Sequence, residues 1–181
     1  MPITDEDVLE IVTVLQFAGV RLWLDGGWGV DALLGEQTRP HADLDIAVAA
    51  PDLDAMLDTL TARGFTVVRV DSQFNAVLVD HRGRQVDYHL VDLDATCLAA
   101  DGTQTYGPRG LPYDVGALEG IGHIAGQEVP CCTAAFQAKS HAQGYEPDDD
   151  DYRDVLALHR RFGTPLFPPY DMWPGIGALP G

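Results

Sequence analysis

The chain has 181 residues, of which 46% are hydrophobic and 22% charged, and its formal net charge is −17. This length and composition are typical of a globular protein with a well-buried core. The strong negative charge disfavours a nucleic acid as partner. No apolar run approaches the roughly 20 residues that cross a bilayer, so we also expect no membrane partner.

The three cysteines, Cys97, Cys131 and Cys132, have neither the spacing of a zinc site nor that of a disulfide framework. Their odd number fits a reducing compartment. The N-terminal segment lacks the basic and apolar regions of a signal peptide. The sequence therefore predicts a cytoplasmic protein, either a monomer or a homodimer.

Hydrophobic periodicity predicts a mixed α/β core. A capping-box pattern at Thr4 and Asp7 begins the first helix. In chain order, the predicted elements are a helix ending near Gly19, a strand over 20–24, a helix ending at Gly35, a strand over 43–48, a helix over 52–63, and strands over 65–70, 76–80 and 85–91. Because helices and strands are interleaved, we expect an α/β (α+β) fold with a mixed sheet flanked by helices.

The C-terminal half is predicted to be less regular. Residues 99–122 are rich in glycine and are expected to form long loops. Beyond them we expect a hairpin over 121–124 and 127–129, helices over 133–143 and 148–162, and an irregular Pro-rich tail. The predicted organisation is a core over 1–95, a C-terminal lobe over 96–163 and the tail over 164–181.

Gly26 and Gly27 lie between the first predicted strand and the helix that follows it. Glycine adopts backbone angles closed to other residues and lets a ligand approach the main chain. The positive end of a helix dipole favours a phosphate at the same place. The simpler alternative is an ordinary strand-to-helix turn, in which Trp28 is a core residue and Asp31 offsets the dipole.

Asp43 and Asp45 are separated by one residue in a predicted strand, so their carboxylates project from one face. Carboxylate oxygens are the ligands that Mg²⁺ prefers. A solvated strand face is the alternative interpretation, since Asp-x-Asp is a common pattern.

Asp87 and His89 share one face of a later, largely apolar strand. An acid in such a strand needs a partner, because burying an unpaired charge is costly. A metal ion or a substrate hydroxyl would supply one; the alternative is an ion pair with an arginine such as Arg39.

Several basic and aromatic residues are further candidates. Lys139 is the only lysine of the chain, and its ammonium suits a triphosphate as a point charge. Arg39 and His41 precede the acid pair and could contact a phosphate or an acceptor. The acidic run 146–151 and its neighbours His141 and Tyr145 fit a surface and a helix N-terminus, or alternatively an acidic rim that holds a cationic acceptor.

The motif Gly-Gly-Trp-x-x-Asp over 26–31, followed by His-x-Asp-x-Asp over 41–45, resembles the small antibiotic nucleotidyltransferases of the polymerase-beta-like superfamily. Within that group the likeness is greater to lincosamide nucleotidyltransferases than to 2''-aminoglycoside adenylyltransferases. The resemblance covers 20–91 well and extends more loosely through 139–146. It implies a nucleotidyltransferase-like fold.

The resemblance also implies roles for individual residues. Nucleotide-binding residues would be Gly26, Gly27, Arg39 and Lys139; ligands of two Mg²⁺ ions would be Asp43, Asp45 and Asp87; acceptor contacts would be His41, His89 and Tyr145. Asp87 would also be the general base.

The implied reaction is transfer of a nucleoside monophosphate from ATP, or another nucleoside triphosphate, to a hydroxyl of a small cationic antibiotic. A lincosamide is the preferred acceptor. Two alternatives stay open: an enzyme that modifies a protein or a tRNA, as in toxin–antitoxin systems, and a catalytically silent nucleotide-binding homologue.

Overall fold

The computed structural model describes residues 2–143 and 146–172, and these contain five α-helices and nine β-strands. The helices are α1 (Asp5–Phe17), α2 (Gly26–Leu34), α3 (Leu53–Thr61), α4 (Ala134–Ser140) and α5 (Asp149–Phe162). The strands are β1 (Leu22–Leu24), β2 (Leu44–Ala49), β3 (Thr66–Ser72), β4 (Asn75–Val79), β5 (Gln85–Val91), β6 (Thr96–Leu98), β7 (Gln104–Tyr106), β8 (Gly120–Ile124) and β9 (Gln127–Cys131). Within the described part, no helix is both long and apolar enough to cross a membrane.

Seven strands form one mixed sheet in the order β3-β4-β5-β2-β1-β9-β8. Its centre combines a parallel pair, β2 with β5, and an antiparallel pair, β1 with β2. The predicted α/β (α+β) fold with a mixed sheet flanked by helices is therefore confirmed.

The hairpin β8–β9 was predicted, but its place in the sheet was not. It extends the main sheet, because β9 pairs in parallel with β1 through Leu24 and Cys131. The prediction of loops over 99–122 was wrong in one part, since β7 pairs with β6 in a separate two-stranded sheet. Because the region is rich in glycine, its sequence pattern did not reveal a strand of only three residues. The division into a core over 1–95, a lobe over 96–163 and a tail over 164–181 stays a prediction.

Two helices differ from their predicted bounds. Helix α2 begins at Gly26, so Asp31 lies in its second turn. The prediction that Asp31 offsets the helix dipole from the first turn was therefore wrong. Helix α4 ends at Ser140 and not at 143. The capping box of α1 at Thr4 and Asp7 is confirmed.

The predicted tail is partly packed against the fold. Tyr170 is fully buried, and its hydroxyl donates to the main-chain oxygen of His141 at 2.7 Å. His141 itself is buried, which corrects its predicted place on the surface. A single aromatic anchor thus ties this segment to the end of α4.

Strand β2 separates two apolar layers. Leu44, Ile46 and Val48 lie in the main core with α1 and α3, as their alternation predicted. Ala47 faces a smaller cluster that includes Tyr113 and Cys132. Asp45 shares the face of Ala47, so the acids lie on the side of the sheet covered by the smaller cluster.

A buried ion pair that contacts α1 yields a stability prediction. The Arg84 guanidinium donates to Asp80 at 2.7 Å and to Glu10 at 2.8 Å, and the Asp80 side chain has 0% exposure. Burial alone would raise the pKa of Asp80, but the bonds from Arg84 hold it below its usual value. The stabilisation is therefore present above pH 4 and is lost as the pH falls through the lowered pKa of Asp80.

We expect Arg84→Met to lower the free energy of unfolding at pH 7 by about 3 kcal/mol, because Asp80 is left buried without its partner. The difference in the free energy of unfolding between the variant and the unmodified chain should be smaller in acid, where Asp80 is protonated. Urea unfolding at pH 7 and at lower pH measures both effects. Arg63→Met is the matched control: Arg63 and Glu10 are each 43% exposed and 3.5 Å apart, so we expect less than about 1 kcal/mol. Equal losses in the two variants would contradict the prediction.

Candidate active site

Parallel pairing of β2 and β5 brings two of the predicted acids together. Asp45 and Asp87 are register partners in these strands and project from the same face. His89, two residues further along β5, joins them, and ligand atoms of the three side chains lie within 4.8 Å of one another. The structure therefore places a group able to hold a metal ion where the sequence predicted acids on one face.

The charges of this cluster are not balanced by the described residues. Burial, and then the negative charge of Asp43, raise the pKa of Asp45 to about 7. Oδ1 of Asp87 is buried without a hydrogen-bond partner among the described residues. Its other oxygen is 3.5 Å from the exposed Arg69 guanidinium. A divalent cation would satisfy both carboxylates, so the donor set fits Mg²⁺.

Asp43 lies just before β2, at the edge of the cluster. Its Oδ2 accepts a hydrogen bond from the Gln85 side-chain amide at 3.0 Å. It is close enough to influence the pKa of Asp45 but is not part of the tight group of ligand atoms.

A buried network of hydrogen bonds contacts the cluster through His89. Asp25 caps α2 by accepting from the Gly26 N–H at 2.9 Å, and it also accepts from the Tyr113 hydroxyl. Nδ1 of His89 is 3.1 Å from that hydroxyl and 3.8 Å from Asp25, while its Nε2 is 3.5 Å from Asp87. Burial lowers the pKa of His89, but Asp25 and Asp87 outweigh burial and raise it to about 10. The carboxylates of Asp25 and Asp87 thus favour the protonated form of His89, whereas only its neutral form could serve as a metal ligand in the cluster.

The two glycines are sterically required. Gly26 has φ +53, and a Cβ built on it would lie 2.2 Å from Oδ2 of Asp45. A Cβ on Gly27 would lie 2.3 Å from Nδ1 of His41. The backbone at the start of α2 therefore packs directly on the acid strand, and no larger residue fits at either position.

A cavity of about 820 Å³ opens beside this turn. Its lining includes Asp25, Gly26, Asp45 and His89 of the site, together with residues 111–114 and α4. Gln137 projects from α4 into this wall and is fully buried, yet neither atom of its amide has a partner among the described residues. A Cβ built on Gly29 would lie 2.3 Å from Nε2 of Gln137, so the amide is enclosed between α4 and α2. The cavity has room for a nucleotide and a small second substrate.

Two predicted ligand contacts are occupied by other partners. Arg39 pairs with Asp154 of α5 at 2.7 Å, so the alternative that Asp87 pairs with Arg39 is not what the structure shows. His41 is buried against the Trp28 ring and hydrogen-bonded to Asp31. It does not line the cavity. Trp28 is a core residue, as predicted.

Two further predicted site residues are Lys139 and Tyr145. Lys139 lines the cavity, where its ammonium pairs with Asp114 at 2.9 Å. Tyr145 lies outside the described residues.

Sequence reasoning missed Asp25, Tyr113, Asp114 and Gln137. Only Asp25 carried a signal, since an acid directly before a Gly-Gly turn is a typical helix cap.

Comparison with known proteins agrees with this geometry. A family model described as aminoglycoside-2''-adenylyltransferase matches residues 7–158. The chain belongs to this family. It is thus one of the antibiotic nucleotidyltransferases, and the resemblance predicted from the motifs is confirmed.

Individual family relatives are moderately similar. A lincosamide resistance protein of Staphylococcus haemolyticus is 28% identical over 159 residues, which cover 86% of this chain and 94% of the relative. A 2''-aminoglycoside nucleotidyltransferase of Klebsiella pneumoniae is 35% identical over 126 residues, covering 67% of this chain and 63% of that protein.

Two solved structures share the fold. The lincosamide adenylyltransferase LnuA with bound lincomycin has a TM-score of 0.73 at 24% identity, covering 87% of this chain and 98% of its own. The enzyme ANT(2'')-Ia in complex with adenylyl-2''-tobramycin has a TM-score of 0.67 at 17% identity, covering 86% and 87%.

Proposed function

We propose that the protein transfers a nucleoside monophosphate, in the first place AMP from ATP, to a hydroxyl of a small cationic antibiotic in a Mg²⁺-dependent reaction. The observation that carries this proposal is the pairing of Asp45 with Asp87 in adjacent parallel strands, next to the glycine turn. Family membership supports the same reaction class.

Asp43, Asp45 and Asp87 are the residues that would hold two Mg²⁺ ions. Bound Mg²⁺ supplies Lewis-acid stabilisation of the charge on the phosphates. Asp87 would take the proton of the acceptor hydroxyl: its Oδ1 makes no close hydrogen bond with the described residues and lies 3.5 Å from Nε2 of His89. Tyr113 and Asp25 orient His89, which in turn positions that carboxylate.

The nucleotide lies against the start of α2. Gly26 and Gly27 let its phosphates approach the main chain and the positive end of the helix dipole. Lys139 supplies a positive charge from the same cavity. Arg39, whose Nη2 lies near Gly27, contributes only if it leaves Asp154.

The acceptor occupies the part of the cavity away from the glycine turn. This wall combines apolar and aromatic groups, Leu111, Pro112 and Phe136, with the carboxylate of Asp114. A protonated amine with apolar parts suits such a wall, and we prefer a lincosamide over an aminoglycoside for this reason. His41 is a weaker acceptor candidate than His89, because it is buried outside the cavity. We expect the enzyme to act in the cytoplasm as a monomer or a homodimer.

The decisive experiment incubates the protein with Mg²⁺, each nucleoside triphosphate, and either lincomycin or tobramycin. We expect release of pyrophosphate and an antibiotic heavier by one nucleoside monophosphate, measured by mass spectrometry, with ATP and lincomycin as the preferred pair. Removal of the metal with EDTA should abolish the product, and added Mg²⁺ should restore it.

Other outcomes would favour the alternatives. Turnover with a protein or tRNA acceptor and with neither antibiotic would indicate the toxin–antitoxin type of activity. Nucleotide binding without turnover on any acceptor would indicate a silent homologue. Full activity in EDTA would contradict the metal assignment.

A further inference from the structure

An ion pair divides the cavity from a second cleft behind it. Nζ of Lys139 is 2.9 and 3.0 Å from the two carboxylate oxygens of Asp114. Both residues, together with Phe136, line the main cavity and also a cleft of about 350 Å³ on their other side. The rest of that cleft is mainly apolar, with Val115, Ala117, Ala135, Pro165 and Phe167.

The backbone of Asp114 is fixed by hydrogen bonds, whereas the ammonium of Lys139 lies at the end of a long, flexible side chain. The backbone of Asp114 bridges to Thr105, and its carbonyl accepts from Ala117 at 2.9 Å. Lys139 stands on a stem of four methylene groups with free rotation. The longer side chain of Lys139 therefore has more freedom to leave the pair than the short side chain of Asp114 on its fixed backbone.

We propose that Asp114 is the binding site for an alkylammonium group of the acceptor, and that Lys139 occupies this site until a nucleoside triphosphate draws the lysine away. This inference rests on the proposed function, because the triphosphate and the acceptor are those of the proposed reaction.

The charges of the cavity favour this exchange. Lys139 is the only lysine or arginine that lines the cavity within the described residues. A triphosphate carries several negative charges and competes for the ammonium more strongly than one carboxylate does. Movement of Lys139 leaves Asp114, three-quarters buried, without its cation, and an incoming ammonium replaces the lost charge.

The same movement opens the wall between the cavity and the cleft. An alkyl substituent next to the ammonium then enters the apolar cleft beside Phe136 and Phe167. A lincosamide combines one tertiary ammonium with an alkyl chain, whereas an aminoglycoside carries several ammonium groups and no such chain. The site therefore selects the lincosamide type, and it couples acceptor binding to nucleotide binding.

Equilibrium binding of lincomycin tests the exchange without turnover. Calorimetry is done in Mg²⁺ with and without an α,β-methylene analogue of ATP, which binds but does not react. For the unmodified chain, we expect the analogue to tighten lincomycin binding by roughly 5- to 150-fold, the usual range of coupling between two sites. Tobramycin should show a smaller gain.

Two variants should change lincomycin affinity in opposite directions. Asp114→Asn should weaken binding in the analogue complex by about tenfold or more, because an ammonium loses its charged partner. Lys139→Met should tighten binding to the nucleotide-free protein and remove most of the coupling, because the competing cation is gone. Misfolding cannot produce both changes. Asp101→Asn is the matched control: Asp101 is 4.0 Å from Lys139 but is outside both cavities, so we expect less than a twofold change.

The single lysine supplies a readout that does not involve the antibiotic. Lysine labelled with ¹³C at Cε gives one side-chain signal in the spectrum of this chain. That signal should move when the analogue is added and should not move further with lincomycin. An unmoved signal, an unchanged affinity in Asp114→Asn, or no gain in nucleotide-free Lys139→Met would overturn the inference and leave nucleotidyl transfer standing. If no antibiotic binds in any state, the proposed function fails together with it.

Discussion

Asp87→Asn is expected to lower kcat by about 10²- to 10⁴-fold, the range for loss of a general base. Asn has nearly the same shape but cannot accept the proton of the acceptor hydroxyl or offer a charged oxygen to a cation. Asp45→Asn should have an effect of similar size, because it removes the carboxylate paired with Asp87 across β2 and β5. Initial rates of pyrophosphate release measure both.

The control for these variants is Asp58→Asn, on an exposed position of α3 far from the cavity. It makes the same chemical change and should leave kcat unaltered. The ATP analogue should also bind the Asp87→Asn protein, because the glycine turn is intact. If Asp45→Asn or Asp87→Asn retained full activity, the assignment of the metal site would be wrong.

Gly26→Ala is expected to reduce kcat by about 10²-fold, as a displacement of reacting groups by roughly 1 Å does. A methyl group at this position would lie 2.2 Å from Oδ2 of Asp45, so the carboxylate must move. Because φ is +53 at this residue, the variant should also lose about 1–2 kcal/mol of stability. Steady-state kinetics and urea unfolding separate the two effects.

Gly35→Ala is the matched control for the backbone strain. Gly35 ends α2 with φ +78, and nothing lies within 4 Å of a Cβ built there. It should lose a similar amount of stability while keeping its kcat. If both alanine variants had the same kcat, contact between Gly26 and Asp45 would have no part in catalysis.

The central part of the candidate site could be read from local patterns. Alternation in the predicted strands put Asp45 and Asp87 on the faces opposite core residues such as Ile46, and in the structure they lie on those faces. Gly26 and Gly27 were singled out as glycines: the φ of +53 at Gly26 requires conformational freedom, and the close approach to Asp45 and His41 leaves no room for a Cβ at either position. These features depend on residues within one or two elements, where the period of the chain decides which side chains share a face.

The partners of the basic residues could not be read in this way. Arg39 was predicted on a phosphate, yet it pairs with Asp154, which lies 115 positions later. Lys139 reaches the cavity as predicted but is held by Asp114, which lies in the segment 99–122 that was predicted to be loop. Such pairs form only when distant segments pack together, and a sequence offers many carboxylates to each cation.

The sequence by itself determined the reaction family, the mixed sheet, the glycine turn and the acids that face it, since each follows from periodicity and short motifs. Only the tertiary structure decided that β8–β9 extends the sheet, that Asp25, Tyr113 and His89 support Asp87, and that Asp114 and Lys139 divide two cavities. The physical reason is that these relations are contacts between segments far apart in the chain, which are set by packing and buried charge pairing and leave no local pattern.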